Sequence, residues 1–64
     1  MISKTRMFGK QEYRLKEVIN KGDGGLHTAR SASEVYREEG WNVRVIEGHH
    51  PDVGKEWYLY CRRK

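Results

Sequence analysis

Two tyrosines and an arginine alternate with apolar residues near the C-terminal end of the chain. Tyr58, Tyr60 and Arg62 are separated by Leu59 and Cys61. Side chains two positions apart lie on one face of an extended strand, so Tyr58, Tyr60 and Arg62 share a face. Aromatic rings stack on unpaired bases and cations neutralise phosphates, which is the chemistry of single-strand nucleic-acid binding. The structural alternative is that tyrosines and arginines cover one another on an exposed sheet, or are covered by a partner protein.

The basic residues concentrate at the two ends of the chain. The 64 residues carry a net charge of +4. Residues 1–16 hold five basic residues against one acidic residue, and residues 57–64 hold three against none, whereas residues 17–56 hold five against eight. Whether these ends form one basic patch or two depends on which strands lie side by side.

The middle of the chain predicts one helix. It begins near Thr28, or at Ser31 if the Ser-x-x-Glu capping box that starts there is used. It ends before Gly40, since glycine readily adopts the left-handed conformation that closes a helix. Apolar residues spaced three and four apart predict the buried stripe of this helix, and they are Ala29, Ala32, Val35 and Tyr36.

In three segments, apolar and polar residues alternate as they do in half-buried strands. The segments cover residues 11–19, 41–45 and 56–62. The glycine-rich residues 20–25 and the loop 48–55 separate them from the helix and from each other, so the order is β-α-β-β. Apolar or aromatic residues fill five successive positions of the third strand, which suits a strand with neighbours on both sides. We therefore expect an α+β fold in which one helix packs on a three-stranded antiparallel sheet of order 1-3-2. The alternative places the third strand at an edge.

The alternation assigns each strand residue to one of the two faces of this sheet. The residues expected to face the helix are Leu15, Val43, Val45, Trp57, Leu59 and Cys61. The opposite, open face would then be basic and aromatic. The candidate nucleic-acid-binding residues on it are Arg14, Lys16, Arg44, Tyr58, Tyr60 and Arg62.

Other motifs indicate no catalytic or metal chemistry. The loop at residues 21–25 lacks the lysine and hydroxyl of a nucleotide-binding loop, so a flexible turn is the better interpretation. Adjacent His49 and His50 tend to diverge, and a metal site needs further ligands held in place, so we predict a solvated loop and no metal. The single Cys61 is assigned to the core, and no spacing suggests an activated nucleophile. We expect no enzyme activity and no cofactor.

The run from Ala32 to Val45 resembles the helix-Gly-strand segment of ferredoxin-like modules, including the bacterial domains that bind peptidoglycan glycan strands. The residues that carry the resemblance are Ala32, Val35, Tyr36, Gly40, Val43 and Val45. It covers about half of such a module, without the second helix and fourth strand. It therefore implies no family membership and no binding residues for this chain.

These observations predict a single domain over residues 1–64, with a flexible segment at 1–9 and a basic end at 62–64. The expected function is that of a small non-enzymatic binding module for single-stranded nucleic acid, without sequence specificity. The alternative is a homodimeric protein-interaction domain in which the open face, or the edge of the first strand, is buried against protein. The sequence has no membrane span or secretory signal, and a cytoplasmic location is expected.

Overall fold

A computed structural model describes residues 3–64 of the chain, which form an antiparallel sheet with one helix on one face. Four strands run over Thr5–Phe8 (β1), Gln11–Asn20 (β2), Trp41–His50 (β3) and Gly54–Arg63 (β4). A short 3-10 turn covers Lys21–Asp23, and the helix α1 covers Gly25–Glu38. The order in the sheet is β1-β2-β4-β3. The α+β class is thus confirmed.

The predicted three-stranded sheet of order 1-3-2 is wrong, because a fourth strand precedes the three that were predicted. β1 falls within residues 1–9, the segment expected to be flexible; Met1 and Ile2 of that segment lie outside the described residues. β1 pairs with the first half of β2, from Phe8 opposite Gln11 to Thr5 opposite Arg14. Gly9 has a φ of +64° in the two-residue turn between them, a conformation that glycine adopts without steric cost.

β4 lies between β2 and β3 and is paired along most of its length on both sides. Its hairpin with β3 has a loop of three residues, because strand pairing continues to His50 opposite Gly54. The longer loop predicted over residues 48–55 is therefore largely strand. The Asp52 backbone N–H donates to His50 Nδ1 at 3.1 Å inside this turn. β3 and β4 have ten residues each, and the hairpin they form therefore contains, with the equally long β2 beside it, the longest paired strands of the sheet.

The helix begins three residues earlier than predicted and presents a slightly different face. Its first residue, Gly25, has a φ of +58°, and a Cβ there would lie 3.3 Å from the Trp57 ring, so the helix approaches the sheet closely at this end. Ala29 and Ser33 are buried, whereas Val35 is 55% exposed. Val35 was predicted on the buried stripe and is not on it. The helix has 14 residues. Within residues 3–64, no helix is long and apolar enough to cross a membrane.

The core beneath the helix contains the residues predicted from β3 and β4, but not Leu15 from β2. A register shift between Leu15 and Glu17 places Leu15 opposite Tyr60 on the other face, and Glu17 opposite Leu59 on the helix side. This β-bulge adds one residue and reverses the alternation, which period-two reasoning cannot anticipate. The buried cluster is Ile19, Ala29, Val43, Trp57, Leu59 and Cys61.

A second cluster, the aromatic cluster, packs on the face away from the helix and consists of Phe8, Tyr13 and Tyr60. The Phe8 ring meets those of Tyr13 and Tyr60 edge to face, with centroid distances of 5.0 and 5.9 Å. The Tyr60 hydroxyl donates to the Ser3 carbonyl oxygen at 2.7 Å. The N-terminal hairpin of the chain itself thus covers much of the face that was expected to be open.

We expect the Tyr60→Phe substitution to lower the free energy of unfolding by about 1 kcal/mol, the net value of one such hydrogen bond. Denaturation in urea measures the change. Tyr13→Phe is the matched control, because Tyr13 is buried in the same cluster but its hydroxyl makes no hydrogen bond within residues 3–64. Equal losses in both variants would contradict the role given to the Ser3 contact.

Candidate nucleic-acid interface

The β-bulge in β2 moves two of the predicted binding residues to the helix side of the sheet. Arg14 lies opposite Cys61, whose side chain belongs to the core beneath the helix. Lys16, at the bulge, extends to Trp41, with its Nζ atom 4.6 Å from the ring centroid. Trp41 in turn packs against the helix-side core. The prediction that Arg14 and Lys16 share a face with the tyrosines of β4 is therefore wrong.

These residues instead form part of a basic groove at the end of the sheet where β4 finishes. It has a volume of about 290 Å³. Its lining has four cations against one carboxylate, and consists of Glu12, Arg14, Lys16, Trp41, Cys61, Arg62 and Arg63. The structure thus brings together three of the six predicted residues, Arg14, Lys16 and Arg62.

Trp41 and Arg63 are the members of the basic groove that the sequence analysis missed. The register of the central hairpin places them directly opposite each other, and the Arg63 guanidinium carbon lies 5.0 Å from the Trp41 ring centroid. Together with Lys16, this gives the ring two cations within cation-π distance. The signal was present in the hairpin register, because pairing His50 with Gly54 fixes Trp41 opposite Arg63.

The remaining predicted residues, Arg44, Tyr58 and Tyr60, lie on the face away from the helix and have different environments. Tyr60 is only 2% exposed, so its ring is closed to a stacking base. Tyr58 is half-buried, and its hydroxyl donates to Glu56 Oε1 at 3.0 Å. Arg44 lies above the aromatic cluster, with its guanidinium carbon 5.7 Å from the Phe8 ring centroid. The row of two stacking tyrosines predicted for this face is thus reduced to Tyr58.

The basic groove contains one thiol, that of Cys61, which is buried. Burial is the main cause that raises the pKa of the Cys61 thiol, although the nearby Lys16 and Arg37 act to lower it. A thiol kept protonated in this way is a poor nucleophile. No group of three histidine, cysteine or acidic side chains suited to a metal ion occurs within residues 3–64.

A hydrogen bond joins the helix to Glu17, the residue that follows Lys16 at the bulge. The Tyr36 hydroxyl donates to Glu17 Oε1 at 3.0 Å. Burial of the phenol, followed by this hydrogen bond and the Glu17 charge, raises the pKa of Tyr36 from 10.0 to about 12. All three effects disfavour the phenolate. The neutral phenol donates to the Glu17 carboxylate, whereas a phenolate would be repelled by it. The contact therefore depends on a protonated Tyr36.

The raised pKa of Tyr36 predicts a pH dependence of stability. In the unfolded chain the phenol ionises near its ordinary value, whereas in the folded protein it keeps its proton to about pH 12. This contribution to stability is fully present below pH 10 and is lost as the pH rises through that interval. Near-ultraviolet titration of tyrosinate should show that Tyr36→Phe removes one late-titrating tyrosine. Tyr58 should still titrate late in this variant, because burial and then its hydrogen bond to Glu56 also raise its pKa. An unchanged number of late-titrating tyrosines in this variant would contradict the assignment.

Comparisons with protein-family models, with curated proteins and with solved structures found no match for this chain.

Proposed function

We propose that this protein is a small non-enzymatic module that binds single-stranded nucleic acid through the basic groove, without sequence specificity. The observation that supports this function is the convergence of Arg14, Lys16, Arg62 and Arg63 on one groove that also contains Trp41, with Glu12 as the single carboxylate in the lining. These cations come from both basic ends of the chain, which the pairing of β2 with β4 places side by side. A positive surface of this kind attracts phosphates.

The groove favours the phosphate backbone over the bases. Arginine and lysine side chains reach phosphates of any sequence, and the counterions released on binding make the affinity fall with salt. The Trp41 ring is the aromatic surface within reach, and it is already associated with Lys16 and Arg63. A base can stack on Trp41 when these two flexible side chains turn toward phosphates. Tyr60, which is buried, takes no part in this proposal.

Binding to a fluorescently labelled oligothymidylate should weaken steeply with salt, and Arg63→Gln should weaken it further at every salt concentration. Loss of one phosphate contact lowers the slope of log K against log salt by about 0.7 for a single strand. Fluorescence anisotropy over a salt series measures both quantities.

Lys21→Gln is the matched control for this experiment. It removes the same charge, but Lys21 is exposed in the 3-10 turn at the opposite end of the sheet. We expect its slope to equal that of the unmodified protein. If the two substitutions change the affinity and its salt dependence equally, the oligonucleotide is attracted by net charge and not bound at the groove. If no binding is detected at low salt, the proposed function is excluded.

A second candidate function, homodimerisation, is favoured by the outer edge of β3. This edge is ten residues long and has no neighbouring strand within residues 3–64. The edge of β2 that was first considered for pairing is covered by β1 over its first half. An exposed edge presents unpaired N–H and C=O groups that a second copy can pair with. Pairing at β3 would join two sheets into one of eight strands with twofold symmetry.

Dimerisation through β3 predicts a molecular mass that rises toward that of two chains as concentration increases. Sedimentation equilibrium measures the mass, and hydrogen exchange at the same concentrations should show added protection in β3 and none in β1. A mass of one chain throughout, or protection confined to β1, would rule out this mode of pairing.

A further inference from the structure

A cleft on the face away from the helix holds a set of groups that the basic groove does not use. It opens between the N-terminal segment and the β3–β4 hairpin and has a volume of about 690 Å³. This size falls within the range that accommodates a small organic ligand. The residues whose chemistry matters are Arg6, His49, His50, Glu56 and Tyr58.

Glu56 is a buried carboxylate in the wall of this cleft. Its residue is only 7% exposed, and no cation within residues 3–64 forms an ion pair with it. The hydrogen bond it receives in that part of the chain comes from the Tyr58 hydroxyl. An ionised carboxylate can accept about four hydrogen bonds, and its burial is costly unless donors compensate. No buried side-chain oxygen within residues 3–64 lacks a hydrogen-bond partner, so the Glu56 oxygen that Tyr58 does not contact is accessible from the cleft. A ligand with two adjacent donors can therefore bond to the carboxylate.

The position of the Tyr58 ring beside Glu56 depends on Gly48. Gly48 lies opposite Glu56 in the hairpin, and a Cβ built on it would collide with the ring and hydroxyl of Tyr58. The missing side chain thus leaves space for the hydroxyl end of the Tyr58 ring over Gly48. Tyr58 stays half-buried and lines the cleft, so a planar aromatic surface adjoins the carboxylate.

The other side of the cleft carries positive charge. The Arg6 guanidinium carbon lies 5.6 Å from the Phe8 ring centroid, and His49 and His50 come from the end of β3. Arg6 favours an anionic ligand and opposes a simple cation, although Glu56 alone would attract one. The ligand that fits both parts has a planar body, paired donors at one end and an anionic group at the other.

We propose that this cleft binds a guanine nucleotide, with the guanine N1–H and N2–H groups donating to Glu56, the ring against Tyr58 and the phosphate toward Arg6. Of the four common bases, guanine has two adjacent donors on its Watson–Crick edge. Adenine and cytosine place an acceptor nitrogen beside their amino group, and uracil flanks its one donor with two acceptors, so a carboxylate repels part of each edge. The cleft is distinct from the basic groove, so the proposal goes beyond the function proposed there.

Nuclear magnetic resonance titration with 5′-GMP, 5′-AMP and 5′-IMP tests the base assignment in the unmodified protein. We expect 5′-GMP to shift the Tyr58 and Gly48 resonances, 5′-IMP to bind about tenfold more weakly because it lacks the N2 amino group, and 5′-AMP to bind more weakly still. Tenfold corresponds to the loss of one good hydrogen bond. Equal affinities for the three nucleotides would overturn the proposal.

Glu56→Gln tests the carboxylate, because the amide keeps an acceptor for the Tyr58 hydroxyl but replaces one acceptor oxygen with a donor. We expect at least tenfold weaker binding of 5′-GMP and no preference over 5′-IMP, whereas oligothymidylate binding stays unchanged. Arg63→Gln should show the reverse pattern, which separates failure of this cleft from failure of the basic groove. If Glu56→Gln does not fold, the ratio of the affinities for 5′-GMP and 5′-IMP in the unmodified protein tests recognition of the guanine amino group.

The source of the guanine is resolved by comparing free 5′-GMP with an oligothymidylate that contains one central guanine. If the ligand is a strand, the single guanine should tighten binding of the oligonucleotide and Glu56→Gln should remove that gain. If it is a free nucleotide, 5′-GMP should bind and the guanine should add nothing to the oligonucleotide. A preference for guanine in neither form overturns the proposal.

Discussion

Strand β4 has buried side chains on both faces, and the remainder of the fold follows from covering them. Leu59 and Cys61 pack beneath the helix, whereas Tyr60 packs beneath the N-terminal hairpin. A chain of 64 residues buries only about 60% of the surface that its unfolded form exposes, so a sheet covered on one face alone would have little margin of stability. The short strand β1 closes the second face by bringing Phe8 against Tyr13 and Tyr60.

The sequence predicted the strands and the helix that carry strong periodicity, but not the features that depend on irregular backbone. Five successive apolar positions predicted that β4 has neighbours on both sides, and it pairs with β2 and β3. β1 has four residues, and only Phe8 among them is more than slightly buried, so no alternation distinguishes it from a flexible segment. Its pairing is recognised only when the Gly9-Lys10 turn is considered together with the aromatic residues it brings together.

The candidate site was predictable in composition but not in geometry. Three of the four predicted cations do meet, since Arg14, Lys16 and Arg62 line one groove, whereas Arg44 lies over Phe8. Their face was predicted wrongly because one added residue near Lys16 reverses every side chain before it, and a bulge leaves no mark in the hydrophobic pattern. The two tyrosines were separated for a different reason. Tyr60 adjoins Phe8, whereas Tyr58 lies across Gly48, so neighbours that are remote in sequence decide which ring stays accessible.

The basic groove and the Glu56 cleft share strand β4 but lie toward opposite ends of it. Cys61 to Arg63 contribute to the groove at one end of β4, and Glu56 and Tyr58 contribute to the cleft toward the other. Six residues of extended strand, from Glu56 to Arg62, span roughly 20 Å. Because the energy between two charges falls with their separation, a charge change at Arg62 acts only weakly on Glu56. Because β4 is held rigidly by pairing on both sides, coupling between the sites would require the whole strand to move, and its two buried faces oppose that motion.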